Sequence, residues 1–124
     1  MTVSSVLNPT MIEELEVKSF ESPDETMTLK NAKGECVQMG ERKFWLATAE
    51  PGWKFSRDNG PELGTEWCPS PHRLYMLSGQ MTVEMEDGTR ETLKKGDVAL
   101  LPPGHDAWVE GDEQVVWFEE ELEV

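Results

Sequence analysis

The sequence predicts an all-β domain, a sandwich or barrel of short antiparallel strands. Three observations carry this. Apolar and polar residues alternate with period two from Met81 to Glu86, the mark of a half-buried strand. Gly and Pro recur at short intervals, from Pro51-Gly52 to Pro102-Pro103-Gly104, so that one strand ends and the next begins. Almost nothing between those turns reads as helix, and many short strands without helices pack as a sandwich or barrel.

Each element follows in order. Residues 1–18 carry few core signals and read as an N-terminal extension, with residues 19–124 as the barrel; Pro9 through Glu16 is open between one helical turn and an extended edge segment. Ser22-Pro23-Asp24 is a turn. Cys36–Met39 and Lys43–Ala49 are strands joined by Gly40-Glu41-Arg42; Pro51-Gly52 breaks the chain, Trp53–Ser56 resumes it, and Asp58–Gly64 is a loop. His72–Leu77 is extended and ends at Ser78-Gly79. Asp87-Gly88 is a two-residue hairpin turn, after which Thr89–Leu93 returns. Lys95-Gly96 turns into Asp97–Leu101, which Pro102-Pro103 must end because proline cannot continue a hydrogen-bonded ladder. Ala107–Val109 and Val115–Phe118 complete the pattern.

Composition narrows the function classes. The chain has 124 residues, 37% of them hydrophobic and five of them Trp, which suits one domain with a single core. No apolar run approaches the roughly 18 residues of a membrane helix, and MTVSSVLNPT lacks a basic start followed by an apolar block; a soluble, cytoplasmic protein is expected. Cys36 and Cys68 lie in separate segments and read as thiols rather than a disulfide framework. The net charge is −14, from 11 basic and 25 acidic residues, which repels nucleic acid and anionic membranes. The terminal clusters, Glu13, Glu14, Glu16 and Glu119, Glu120, Glu121, Glu123, read as a solvated surface or, alternatively, an acidic docking face. No Gly-x-Ser-x-Gly elbow, Cys-x-x-Cys or phosphate-binding Gly loop is present.

The punctuation of the second half carries a more specific signal. Gly60 is followed by five residues, Glu66-x-Cys68, three residues, His72, six residues and Gly79; Gly96 is followed by five residues, Pro102-x-Gly104, two residues and Ala107. Over roughly Lys43 to Glu119 this resembles the cupins, small antiparallel jelly-roll barrels. The cupin pattern has His-x-His, Glu and a second-motif His where this chain has Glu66-x-Cys68, His72 and Ala107. More narrowly, Phe20–Thr26, Pro51-Gly52-Trp53 and Pro102–Trp108 are similar to a subgroup of uncharacterised cupin-domain proteins that share a PPGHDAW string. That subgroup tends to have His where this chain has Asp58, which takes away one candidate ligand or base.

The resemblance implies a cupin-type jelly-roll with its functional centre inside the barrel. Glu66, Cys68 and His72 would then be candidate ligands for a divalent metal, zinc or iron given the soft thiolate, while Ala107 cannot ligate. Each residue also has a structural reading: Cys68 as a small buried hydrophobe, Glu66 as a solvated loop carboxylate, His72 as a satisfied interior histidine. His105 is open between a displaced ligand and a pin for the Pro-Pro-Gly turn beside Asp106. Because the family's Glu slot points inward, His72, Leu74 and Met76 should line the barrel, with Arg73, Tyr75 and Leu77 on the opposite face. Together with Cys68, His105 and Trp108 they form the expected small-molecule site; Trp53 is a core candidate that could border the mouth. The expectation is a barrel that binds a small molecule with a degenerate metal site. The alternatives are a zinc- or iron-dependent oxygenase, isomerase or hydrolase, and a structural or sensory subunit. A homodimer is expected, paired through Val115–Phe118 or the N-terminal segment.

Overall fold

The computed structural model describes residues 12 and 14–122. Half of the Pro9–Glu16 segment lies outside the described residues, and Glu14–Lys18 follow an irregular path. The elements are β1 (Glu25–Leu29), β2 (Ala32–Met39), β3 (Arg42–Ala49), α1 (Phe55–Asp58), α2 (Gly60–Leu63), β4 (His72–Ser78), β5 (Gln80–Met85), β6 (Arg90–Lys94), β7 (Val98–Leu101), β8 (His105–Glu110) and β9 (Val115–Glu120). They form a six-stranded sheet in the order β1-β2-β3-β9-β4-β7 and a three-stranded sheet in the order β6-β5-β8. The pairings are antiparallel, and the two sheets face each other as the sequence predicts.

Period-two alternation decides what enters the space between the sheets. On β4, Leu74 and Met76 are buried, whereas Arg73, Tyr75 and Leu77 are exposed. From the opposite sheet come Met81 and Val83 of β5, Leu93 of β6, and Ala107 and Val109 of β8. Burying each of the larger side chains contributes about 1.5–3 kcal/mol. The turn from β4 to β5 depends on Gly79. Its φ is +76°, and a Cβ there would sit 2.6 Å from the Gln114 carbonyl oxygen, so both conformation and space exclude a side chain.

Two expectations about elements change. Residues Trp53–Ser56 do not continue as a strand: Lys54 makes one bridge to Trp108, and the chain then coils through α1 and α2. Side chains hold this coil. The Asp106 carboxylate on β8 accepts from the Ser56 N–H at 3.0 Å and from its hydroxyl at 2.7 Å, and Asp58 accepts from the Lys54 N–H at 3.0 Å. Pro61 sits in the first turn of α2, where a missing N–H costs nothing. Four-residue helices are too short to show an apolar period. Strand β9, expected as a pairing edge, lies inside the large sheet between β3 and β4; the sheet's edges are β1 and β7.

Candidate metal centre

Backbone pairing brings two of the chemically active side chains together. Cys68 precedes β4 in an irregular stretch, and its N–H donates to the His105 carbonyl at 2.7 Å, while the Gly104 N–H donates to the Cys68 carbonyl at 2.8 Å. The third, His72, opens β4 opposite Leu101, the last residue of β7 before the Pro-Pro-Gly turn. The strand ends and the turn therefore converge on one end of the barrel. There Cys68 Sγ lies 3.8 Å from His72 Nε2, and the His72 and His105 rings meet edge to face at 5.1 Å between centroids. The ligand atoms of Cys68, His72 and His105 lie within 4.8 Å of one another.

Both imidazoles are oriented by an outer partner. His72 Nδ1 meets Glu119 Oε2 at 2.6 Å, and His105 Nδ1 meets the Pro102 carbonyl oxygen at 2.8 Å. Because a carbonyl oxygen only accepts, His105 donates from Nδ1, which leaves Nε2 to face the cluster. Glu119 acts on His72 in the same way and is itself fixed by the Trp117 indole N–H, which donates to Oε1 at 2.8 Å. The charges reinforce one another. Burial opposes the thiolate of Cys68, but hydrogen bonds from His105, His72 and the Ser70 N–H outweigh it and bring its pKa down to about 6. Burial likewise opposes the His72 cation, and the hydrogen bonds and charges of Cys68 and Glu119 prevail, raising it to about 9.

A cavity of about 540 Å³ opens in front of the cluster. Leu74, Met81, Leu101, Ala107, Trp53 and Phe55 line its inner part, with Trp45, Trp117, Leu29 and Leu63 among the other walls. Of the residues singled out in the sequence, Trp53, Cys68, His72, Leu74, His105 and Ala107 reach this cavity. Met76 is fully buried but packs in the core without lining it. Glu66 is exposed, and His105 stands with Cys68 and His72 in its place. Trp108 alternates with His105 and Ala107, so its ring turns out of the barrel; it lies between Lys54 and Arg90 at 5.0 and 5.2 Å and donates to Glu110 at 3.0 Å. Asp106 bonds Ser56 rather than His105. Asp58 holds α1, and its buried neighbour Asn59 reaches the cavity wall, tied to the Trp53 indole at 2.7 Å.

Glu119 is the functional residue that sequence reasoning misplaces. It stands in an acidic run that reads as solvated, yet its side chain is only 12% exposed and belongs to the site. The signal is in the alternation of Val115, Trp117 and Glu119, which places all three on the inner side of β9. Its neighbours are also engaged: Glu120 pairs with Arg42, and Glu121 accepts from the Trp45 indole N–H at 3.0 Å.

A two-sheet antiparallel barrel with His and Cys side chains converging at one end is a cupin. The family model of the EutQ-like cupin domain matches residues 56–121, more than half of the chain, and the chain belongs to that family. No curated protein matches it. Among solved structures, a cupin-like protein from Thermotoga maritima is 21% identical, with a TM-score of 0.57 over 91% of this chain and 83% of that one. A protein of unknown function from Acinetobacter sp. ADP1 is 19% identical, with a TM-score of 0.53 over 80% of this chain and 93% of that one. A point mutant of Bacillus subtilis oxalate decarboxylase is 26% identical, with a TM-score of 0.54 over 79% of this chain but 27% of that one. Among the described residues, no helix is long and apolar enough to cross a membrane.

Proposed function

We propose that this cupin binds a small molecule at a divalent metal held by Cys68, His72 and His105. One observation carries the reading: two imidazoles anchored through Nδ1 turn their Nε2 atoms toward a thiol that is drawn to its anionic form, all within 4.8 Å. Metal-bound histidines commonly donate their other N–H to a carboxylate or carbonyl, and here Glu119 and Pro102 supply both acceptors. A thiolate with two imidazoles suits zinc or ferrous iron better than magnesium. Such an ion would supply Lewis acidity to a donor atom of the bound molecule. Ala107 offers no donor from the neighbouring wall, so three protein ligands leave a position for that atom. The protein's own part is to hold the imidazoles, keep His72 neutral at Nε2 in the loaded form, and surround the site with apolar walls that limit water.

The test is metal content after purification without affinity metals, followed by cobalt titration. About one transition metal per chain is expected. Cobalt should give a thiolate-to-metal charge-transfer band that disappears in Cys68→Ser and His105→Ala. Glu119→Gln should weaken metal binding about 10- to 100-fold, and Glu66→Gln should leave it unchanged. Absence of the band in the unmodified protein overturns the proposal. The same geometry favours one second reading, a metal-free reactive thiol: Cys68 faces His72, which Glu119 orients. That reading requires rapid alkylation of Cys68 in a protein to which neither zinc nor iron binds.

A further inference from the structure

The charge and shape of the cavity say what class of molecule it takes, provided the centre is the metal site proposed above. The cavity lining is mainly aromatic and aliphatic, with Trp45, Phe55, Trp117, Leu29 and Leu63 on it. Flat or branched apolar bodies are buried well by such walls. A volume of about 540 Å³ exceeds what one or two waters fill and lies within the range of small-molecule pockets.

At the centre the charges offset one another, since the Cys68 thiolate and the Glu119 carboxylate face the metal ion in the loaded protein and the His72 imidazolium in the metal-free one; away from it the charges on the lining are unequal. Its carboxylates are Glu119 and Glu121. Glu119 is engaged at both oxygens, with His72 and Trp117. Glu121 holds the Trp45 indole through Oε1. Among the described lining residues, Lys33 alone carries a Lys or Arg charge; its side chain is 55% exposed and points toward Glu35 at 3.8 Å. None of these lining residues supplies a guanidinium to form a paired, two-bond contact with a carboxylate or phosphate. A ligand that binds the centre through one donor and carries a second, anionic group would set that group against apolar wall or beside Glu121, the single lining lysine, Lys33, being drawn toward Glu35. The net charge of −14 adds a long-range field of the same sign.

We propose that the cavity takes an uncharged or cationic molecule with an aromatic or branched aliphatic body and one metal-binding donor, and discriminates against carboxylates. Three probes with the same donor separate the contributions: imidazole, 4-phenylimidazole and the para-carboxylate of 4-phenylimidazole. Each is titrated into cobalt-loaded protein at pH 8 and read from the cobalt ligand-field bands. The phenyl ring should tighten binding at least tenfold over imidazole. The carboxylate should weaken it at least tenfold relative to 4-phenylimidazole. Glu121→Gln, which keeps an acceptor for Trp45, should narrow that second gap. A carboxylate probe that binds as tightly as 4-phenylimidazole, or a ring that brings no gain, overturns the proposal. If cobalt does not bind, the metal reading fails by itself. Quenching of tryptophan fluorescence in the metal-free protein then decides on ligand class alone: preference for 4-phenylimidazole over its carboxylate supports it, and the reverse preference overturns it.

Discussion

Asp58 shows how one side chain can exchange a chemical role for a mechanical one. It accepts from the Lys54 N–H, from Asn31 Nδ2 at 3.4 Å, and from Arg57 Nε at 2.8 Å and Nη2 at 3.0 Å. The Arg57 guanidinium, helped by the Lys54 and Asn31 bonds, outweighs the cost of burial and holds the carboxyl far below the ordinary Asp range. Its folded pKa lies below its unfolded one, so this carboxylate stabilises the fold fully above about pH 4 and loses that effect as pH falls further. Asp58→Asn should therefore lower unfolding free energy by about 1.5–3 kcal/mol at pH 7. In urea titrations the gap from the parent protein should close as pH drops from 4 toward 2; a gap that stays constant across that range would rule the account out. At the same scale, Cys68 and His72 can be singled out from motif spacing. Glu119 belongs to no motif; its alternation with Val115 and Trp117 is its signal, and the acidic run around it reads as solvated surface until a histidine is placed opposite it.

Among the elements, the β4–β5 turn is the most constrained. Gly79 combines positive φ with backbone atoms closer than any real Cβ contact, whereas Gly88 has φ +91° and open space around it. Alanine at Gly88 meets backbone strain alone, on the order of 1–2 kcal/mol. Alanine at Gly79 must also push apart the Gln114–Val115 backbone, and should cost at least about 1 kcal/mol more. Paired thermal denaturations of the two variants measure the difference; equal losses would show that the close approach to Gln114 is without consequence. The strands themselves are legible in the sequence, since alternation assigns His72, Leu74 and Met76 to one face with no knowledge of partners. The helical coil over Phe55–Leu63 is not legible. Its bonds to Asp106 and Lys30 cross long sequence separations, and only the folded chain places those partners.

For the whole molecule, sheet order decides where a second copy could pair. With β9 enclosed, the edges among the described residues are β1 and β7 of the large sheet and β6 and β8 of the small one. On β7, Val98 and Leu100 are 72% and 75% exposed, and on the same outer face Tyr75 is 43% exposed. Exposed edges bearing an apolar row invite pairing. We propose that the homodimer expected from the sequence forms along β7, as a twofold arrangement that places like against like. Light scattering should give about twice 14.1 kDa for the parent chain and about one chain mass for Leu100→Asp. A parent protein of one chain mass removes the dimer. The acidic surface is visible from composition, but the partners of Glu119, Glu120 and Glu121 depend on strand neighbours.

By itself the sequence determined the all-β architecture, most turn positions, the division of β4 into two faces and the family resemblance, which in turn implied which face points inward. These depend on local rules: alternation, the backbone demands of Gly and Pro, and fixed spacing along one chain. The tertiary structure alone decided that His105 replaces Glu66 beside Cys68 and His72, that Trp108 leaves the pocket, and that Glu119 enters the site. Each of those outcomes depends on which strands become neighbours and in what register, and register is set by the packing of the whole core.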